Sequence, residues 1–272
     1  MMTDEYQPNL EITKPSAARM YDYALGGYHN YAIDRQAFEQ VLAINPDVVL
    51  IARANRAFLR RAVTFLLDQG IDQFLDIGSG IPTVGNVHEI VQAVHPEAPV
   101  VYVDIDPLAV AHSNLVLKGN PRACAIQADV RRPEHIIQHP DVLRLLDFAR
   151  PIGLLLVTVL HYMLDDATAS AATRYLYHSL IPGSYVAISH VTNEGTAGVQ
   201  AEQIRQVMAQ STNPTGVRSR AQIQQLLDGL DLVPPGLVWL PEWRPESADD
   251  VLLNQPERSS ALAAVGQRVR EP

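Results

Sequence analysis

The run Phe74-Leu75-Asp76-Ile77-Gly78-Ser79-Gly80 constrains the fold of this chain more than any other stretch. A short apolar segment that stops at an acidic residue and two glycines is how a buried parallel strand ends in a tight turn feeding a helix. Further on, Val100-Val101-Tyr102-Val103-Asp104 is a second apolar segment closed by a carboxylate. At the carboxyl edge of a parallel sheet such a carboxylate can grip a ribose diol through paired hydrogen bonds, and glycines let the backbone come close to a ligand. The two segments predict an open α/β sheet with a nucleoside site at the tips of its first strands.

The turn itself narrows the ligand. A dinucleotide loop needs a third small residue three positions after the second glycine, so that a helix amino terminus can approach a pyrophosphate. Here Gly80-Ile81-Pro82-Thr83 puts threonine at that position and a rigid proline inside the turn. Asp76 would also set negative charge against a pyrophosphate, whereas it suits a ligand carrying an ammonium or sulfonium group. A nicotinamide-dependent oxidoreductase is disfavoured on both counts. The spacing Asp-x-Gly-x-Gly resembles the first motif of the class I S-adenosylmethionine-dependent methyltransferases. The blocks Arg19 to Asn30, Ala52 to Ala62, Gly85 to Glu89 and Trp243-Arg244-Pro245 are similar to an actinobacterial family of candidate methyltransferases of this type. The resemblance runs from about the fifteenth residue to the end of the chain. It implies an α/β, doubly wound, mostly parallel seven-stranded Rossmann-like sheet and S-adenosylmethionine as cofactor. It brings no acceptor with it.

Composition sets the broad class. The chain has 272 residues, 47% hydrophobic and 19% charged, a globular balance able to bury a large core. Its net charge of -9 argues against a nucleic-acid partner, because that binding needs a basic surface to displace phosphate counterions. Arg53, Arg56, Arg60 and Arg61 form a local basic cluster, read as a solvated helix face paired with acids. The single cysteine, Cys124, cannot make an internal disulfide and sits in an apolar strand-like setting. With no signal-like pattern in Met1 to Leu10 and no membrane-length apolar run, the expected location is cytoplasmic and the expected partner a small molecule. Oligomeric state is left open.

Along the chain, helical periodicity starts at Ser16, a candidate cap, and stops at Gly26-Gly27. A second helix is expected from Asp34 and a third from Asn45-Pro46 to Leu67, so residues 1–70 form a helical extension before the sheet domain, 71–272. Such a pair of helices is a natural lid over a crevice that an open sheet leaves exposed. Strands are expected at about 72–77, 99–104, 122–127, 152–159, 185–189, 232–239 and 260–269, the last two as a hairpin. A long segment, 192–218, is expected to shape the substrate side.

Candidate site residues follow. Asp76, Gly78, Ser79 and Gly80 are assigned to the methionine portion, with a plain strand-to-helix turn as the bland alternative. Asp104 is assigned to the ribose hydroxyls, Ile105 to the adenine, and Asp106 to capping the next helix. The family architecture implies that Asp129 accepts from the adenine amino group beside Val130, and that Thr158 and His161 lie opposite the methyl donor. His161 is a candidate general base if its pKa is near neutral, and a satisfied structural histidine otherwise. Tyr21 and Asn30 are the lid candidates, Tyr21 for the face it could pack on a sulfonium or adenine. No zinc-site spacing is present, so no metal is expected. Two functions remain, a methyltransferase with a small-molecule acceptor and a catalytically silent binding protein.

Overall fold

A computed structural model describes residues 12–82, 85–194 and 197–269. Five short apolar runs become parallel strands: β1 (Phe74–Ile77), β2 (Val100–Asp104), β3 (Ala123–Gln127), β4 (Gly153–Val157) and β5 (Tyr185–Val191). They are joined in one sheet by β6 (Leu230–Leu232), β7 (Val238–Trp239) and β8 (Ala261–Arg268). The order is β3-β2-β1-β4-β5-β8-β6, with β7 also paired to β8. β8 runs antiparallel to β5. Strand order reverses between β1 and β4, and ligands of such sheets bind beyond the strand tips at that switch point.

Alternation along each strand feeds two cores, one on each face. Phe74 and Val100 pack with Phe58, Leu66 and Trp243 on one face, while Leu75, Val101, Leu154 and Ile188 pack with Leu176 on the other. The helices are α1 (Ala17–Ala24), α2 (Ala32–Ile44), α3 (Val48–Asp68), α4 (Val87–Val94) and α5 (Pro107–Val116). They continue as α6 (Pro133–Ile137), α7 (Pro140–Leu145), α8 (Asp166–His178), α9 (Ala197–Met208) and α10 (Arg220–Gln225). Helix α3 is a layer of the sheet domain, since Phe58, Ala62 and Leu66 are fully buried in its core. Helices α1, α2 and α9 build a separate small cluster from Met20, Phe38, Val41 and Met208.

Three expectations need correction. The segment 232–239 is not one strand: Pro234 and Pro235 cannot donate to a ladder, and Gly236 turns back to Val233, so β6 and β7 are separate; the main path keeps the expected seven strands, and β7 is an eighth that pairs with β8 beside it. β7 and β8 are antiparallel, but residues 240–260 intervene, so they are no tight hairpin. Helix α2 begins at Ala32, and Asp34 lies inside its first turn, where its carboxylate accepts from the Tyr31 amide at 2.8 Å.

Ser16 precedes α1, yet its hydroxyl does not cap that helix. It donates to Asp106 Oδ2 at 2.5 Å, and its amide donates to Asp34 Oδ1 at 2.9 Å. Arg19 Nε reaches the other oxygen of Asp34 at 2.8 Å, both side chains being buried. This buried, paired cluster fastens α1 and α2 to the amino end of α5, whose cap is Asp106 as expected. No helix among the described residues is long and apolar enough to cross a membrane.

Candidate active site

The tips of β1, β2 and β4 open onto a cavity of about 650 Å3 that α1, α2 and α9 cover. Of the residues singled out from the sequence, Tyr21, Asp76, Gly78, Ser79, Gly80, Asp104, Ile105, Asp129, Val130, Thr158 and His161 all line it. Asn30 does not. Its side-chain amide bonds Asp22 Oδ2 at 2.8 Å and the Gly27 carbonyl at 3.0 Å, so it shapes the turn after α1.

Asp76 is buried in β1, and burial pushes its carboxyl up to about 7; Arg56 on α3 opposes the shift and the like charge of Asp104 adds to it. Asp104 is buried at the end of β2 and is pushed up to about 6, again mainly by burial. Amide hydrogen bonds from Asp106 (2.8 Å to Oδ1) and Gly80 (2.7 Å to Oδ2) oppose that rise. Each carboxylate oxygen has a second lone pair for a further donor. Two neighbouring carboxyls thus face one cavity with too little positive charge around them.

The turn after β1 is shaped around that cavity. Gly78 has a φ of +78°, and a Cβ there would lie 2.5 Å from Val159 Cγ2, so no side chain fits. Its amide and that of Ser79 both donate to the Val103 carbonyl, at 2.7 and 3.2 Å. The Ser79 hydroxyl is buried with no hydrogen-bond partner among the described residues. An orphaned buried hydroxyl is uncommon and calls for a group to satisfy it. Asp129 is arranged differently. Burial acts to raise its carboxyl, but hydrogen bonds from Arg131 and the charges of Arg131 and Arg132 outweigh it and hold the group below the usual range.

At the tip of β4, Thr158 has a φ of +52°, a strained region for a β-branched residue. The strain is held by a network: Thr158 N donates to Ser189 Oγ (3.0 Å), Ser189 Oγ to Asn55 Oδ1 (2.7 Å), and Asn55 Nδ2 to Thr158 Oγ1 (2.9 Å). Asn55 Nδ2 also donates to the Tyr21 hydroxyl at 3.2 Å, which in turn donates to the Ala52 carbonyl at 3.1 Å. Helix α1 is thereby joined to the tips of β4 and β5.

His161 lies in the 3-10 turn after β4, its ring centroid 4.0 Å from that of Tyr162. Behind it, Arg218 donates to His190 Nε2 at 2.8 Å and to the Leu160 and Met163 carbonyls at 2.9 and 2.5 Å. His190 Nδ1 faces the Val191 carbonyl at 2.6 Å; those partners assign a neutral ring, pushed down to about 4 chiefly by burial. His161 is held well below its ordinary value by burial, with His190 and Arg218 adding to the effect. The near-neutral pKa on which a base role rested is therefore corrected: His161 is a neutral imidazole at physiological pH. Sequence reasoning also missed Asn55, Arg56 and Tyr162, which line the same cavity. Asn55 had a signal, since Ala52, Asn55, Leu59, Ala62 and Leu66 form one helical stripe that is otherwise apolar. Among the described residues no group of three or more His, Cys, Asp or Glu is placed to hold a metal ion.

The donor set fits S-adenosylmethionine: carboxylates for a cationic zwitterion and a ribose, an arginine for its carboxylate, and an unsatisfied hydroxyl in the loop between. The sequence profile of a family described as S-adenosyl methyltransferase matches residues 3–269. A crystal structure of a candidate methyltransferase from Thermobifida fusca is 35% identical, covers 98% of this chain and 100% of that one, and superposes with a TM-score of 0.90. A DUF574 family protein from Streptomyces avermitilis is also 35% identical, over 94% of this chain and 98% of that one, with a TM-score of 0.89. A search among curated proteins returns no match. With a profile spanning nearly its full length and identities above 30% across whole chains, the protein belongs to the S-adenosyl methyltransferase family.

Proposed function

We propose that this protein transfers the methyl group of S-adenosylmethionine to a small-molecule acceptor. One observation carries the proposal. Asp76 and Asp104 are buried at adjacent strand tips, both held above the ordinary carboxylate range, and both line one cavity. Burying two carboxyls without a matching cation is unfavourable, and a ligand with ammonium and sulfonium charges makes up the deficit.

In this reading Asp76, Gly78, Ser79 and Gly80 hold the amino-acid portion, with Arg56 near its carboxylate. Asp104 takes the ribose hydroxyls, Ile105 packs near the adenine, Asp129 accepts from its amino group, and Val130 offers its backbone amide alongside. When bound, S-adenosylmethionine would supply an electrophilic methyl to an acceptor lone pair and would leave as S-adenosylhomocysteine, the acceptor's proton being given up to bulk solvent when the product is released. The chain's own work is positioning and exclusion of water. Helices α1, α2 and α9 cover the cavity, and the Tyr21-Asn55-Thr158-Ser189 network holds the β4 tip against it. We assign α1 and α2 as the lid. His161, its pKa held well below the ordinary value by burial, is a weak base and instead offers a hydrogen bond to the acceptor.

A second reading, a binding protein without turnover, rests on that same weakness of His161 as a base. Calorimetry with S-adenosylmethionine, S-adenosylhomocysteine and NAD tests the cofactor, and preferential NAD binding overturns the proposal. Radiolabelled methyl donor with extract small molecules tests turnover; consistent absence of transfer despite tight cofactor binding favours the second reading.

A further inference from the structure

The cavity does not end at the strand tips. It continues between α1, α2 and α9, where Met20, Ala24, Phe38, Val41 and Met208 line it, every one of them buried. These side chains form the cap's own hydrophobic cluster, so this part of the cavity has a largely apolar wall with two adaptable methionines in it and polar side chains such as Asn45 and Gln200 at its margin. Tyr162, which packs against that cluster, and His161 line the same cavity, their ring centroids 4.0 Å apart and their planes tilted by 42°.

The charged residues around the cavity already have partners. Glu202 and Arg205 on α9 form an ion pair at 2.7 Å, Asp129 is bound by Arg131, and Asp106 accepts from Ser16. Arg56 donates to the Gly85 carbonyl at 2.8 Å, and its charge acts on Asp76. What the described residues offset only in part, through Arg56 and the Gly80 and Asp106 amides, is the Asp76–Asp104 pair, and that pair sits at the strand tips. A charged acceptor in the cap chamber would lose its hydration and meet no counterion, whereas an apolar body gains by leaving water.

Resting on the cofactor reading above, we propose that the methyl acceptor is an uncharged, largely apolar small molecule. It is seated between α1, α2 and α9, with its reacting heteroatom at the His161–Tyr162 end. Specificity then lies in the cap residues and not in the strand tips.

The test uses three probes of one shape and different charge: 2-naphthalenemethanol, 2-naphthylmethylammonium and 2-naphthoate. The full chain is first titrated with S-adenosylhomocysteine; absence of binding there refutes the cofactor reading alone, because the probe series is run both with and without it. The neutral probe is expected to bind at least about tenfold tighter than either charged one. Met208→Lys is expected to weaken the neutral probe by about tenfold or more while S-adenosylhomocysteine affinity stays within about twofold, which also reports an intact fold. Should that variant not fold, Ile204→Gln, in the same cap wall, serves instead. A charged probe binding as tightly as the neutral one, no saturable binding of the neutral probe, or indifference to the cap substitution overturns the proposal.

Discussion

Asp76→Asn separates what this carboxyl does for the ligand from what it costs the fold. Burial moves the group from an ordinary 3.8 to about 7. Below about pH 4 it is protonated in both folded and unfolded chains and the shift has no effect on stability. Between about 4 and 7 the folded chain holds a proton that the unfolded chain has released, so stability falls as pH rises, and above about 7 the full cost is present. A shift of that size is worth about 4 kcal/mol as an upper bound, and the amide's own hydrogen-bonding needs reduce the recoverable part to about 2–3 kcal/mol. The ligand-free variant is therefore expected to be more stable than wild type by that amount at pH 8, and less stable by about 1–2 kcal/mol near pH 4, where the ionisation cost is gone and the amide's own needs remain. Urea unfolding across this range measures it. Calorimetry on the same protein is expected to show S-adenosylhomocysteine affinity reduced by about 1.5–3 kcal/mol through loss of a charge-assisted contact. A variant that is no more stable at pH 8 and binds the ligand normally refutes the reasoning, because Asp76 would then be neither under-compensated nor aimed at the ligand.

Further outcomes follow from the same geometry. Asp104→Ala is expected to weaken S-adenosylhomocysteine binding by about 1–3 kcal/mol in calorimetry, since its oxygens keep lone pairs beyond the Gly80 and Asp106 amides. Wild-type affinity for S-adenosylmethionine is expected to be highest above pH 7 and to fall as pH drops through 7 toward 6, with protons released on binding, because the cation favours the ionised carboxylates. Titrations in buffers of different ionisation enthalpy check this, and proton uptake would contradict it. Asn55→Ala removes the link between Tyr21, Thr158 and Ser189, and is expected to cost about 1–3 kcal/mol of stability by denaturant unfolding. It should also raise hydrogen exchange in α1, and unchanged exchange there would argue that α1 is not held through this network.

The strands and their tips were legible because buried parallel strands are continuous apolar runs and the tip residues are adjacent to them in sequence. Asp76, Gly78, Gly80 and Asp104 reach one cavity for that reason alone. The break at Pro234-Pro235 was also written in the chain, since neither proline can donate to a ladder, but an apolar run on either side masked it. His161 is the opposite case. Its protonation is set chiefly by burial, to which His190 on β5 and Arg218, which comes from beyond α9, add, and no local spacing announces that packing. Asn30 misled for a related reason: a polar residue beside two glycines suits a ligand contact and a turn equally, and Asp22 settled it by bonding the Asn30 amide. The cap chamber was invisible because α9 meets α2 only in the fold.

A crystal structure of the protein with S-adenosylhomocysteine tests the central claim most directly. The account predicts the ligand in the cavity at the tips of β1 and β2, both ribose hydroxyls within hydrogen-bond distance of the Asp104 carboxylate and the amino-acid end beside Asp76 and Arg56. A ligand bound elsewhere, or both aspartates turned away from it, would contradict the account.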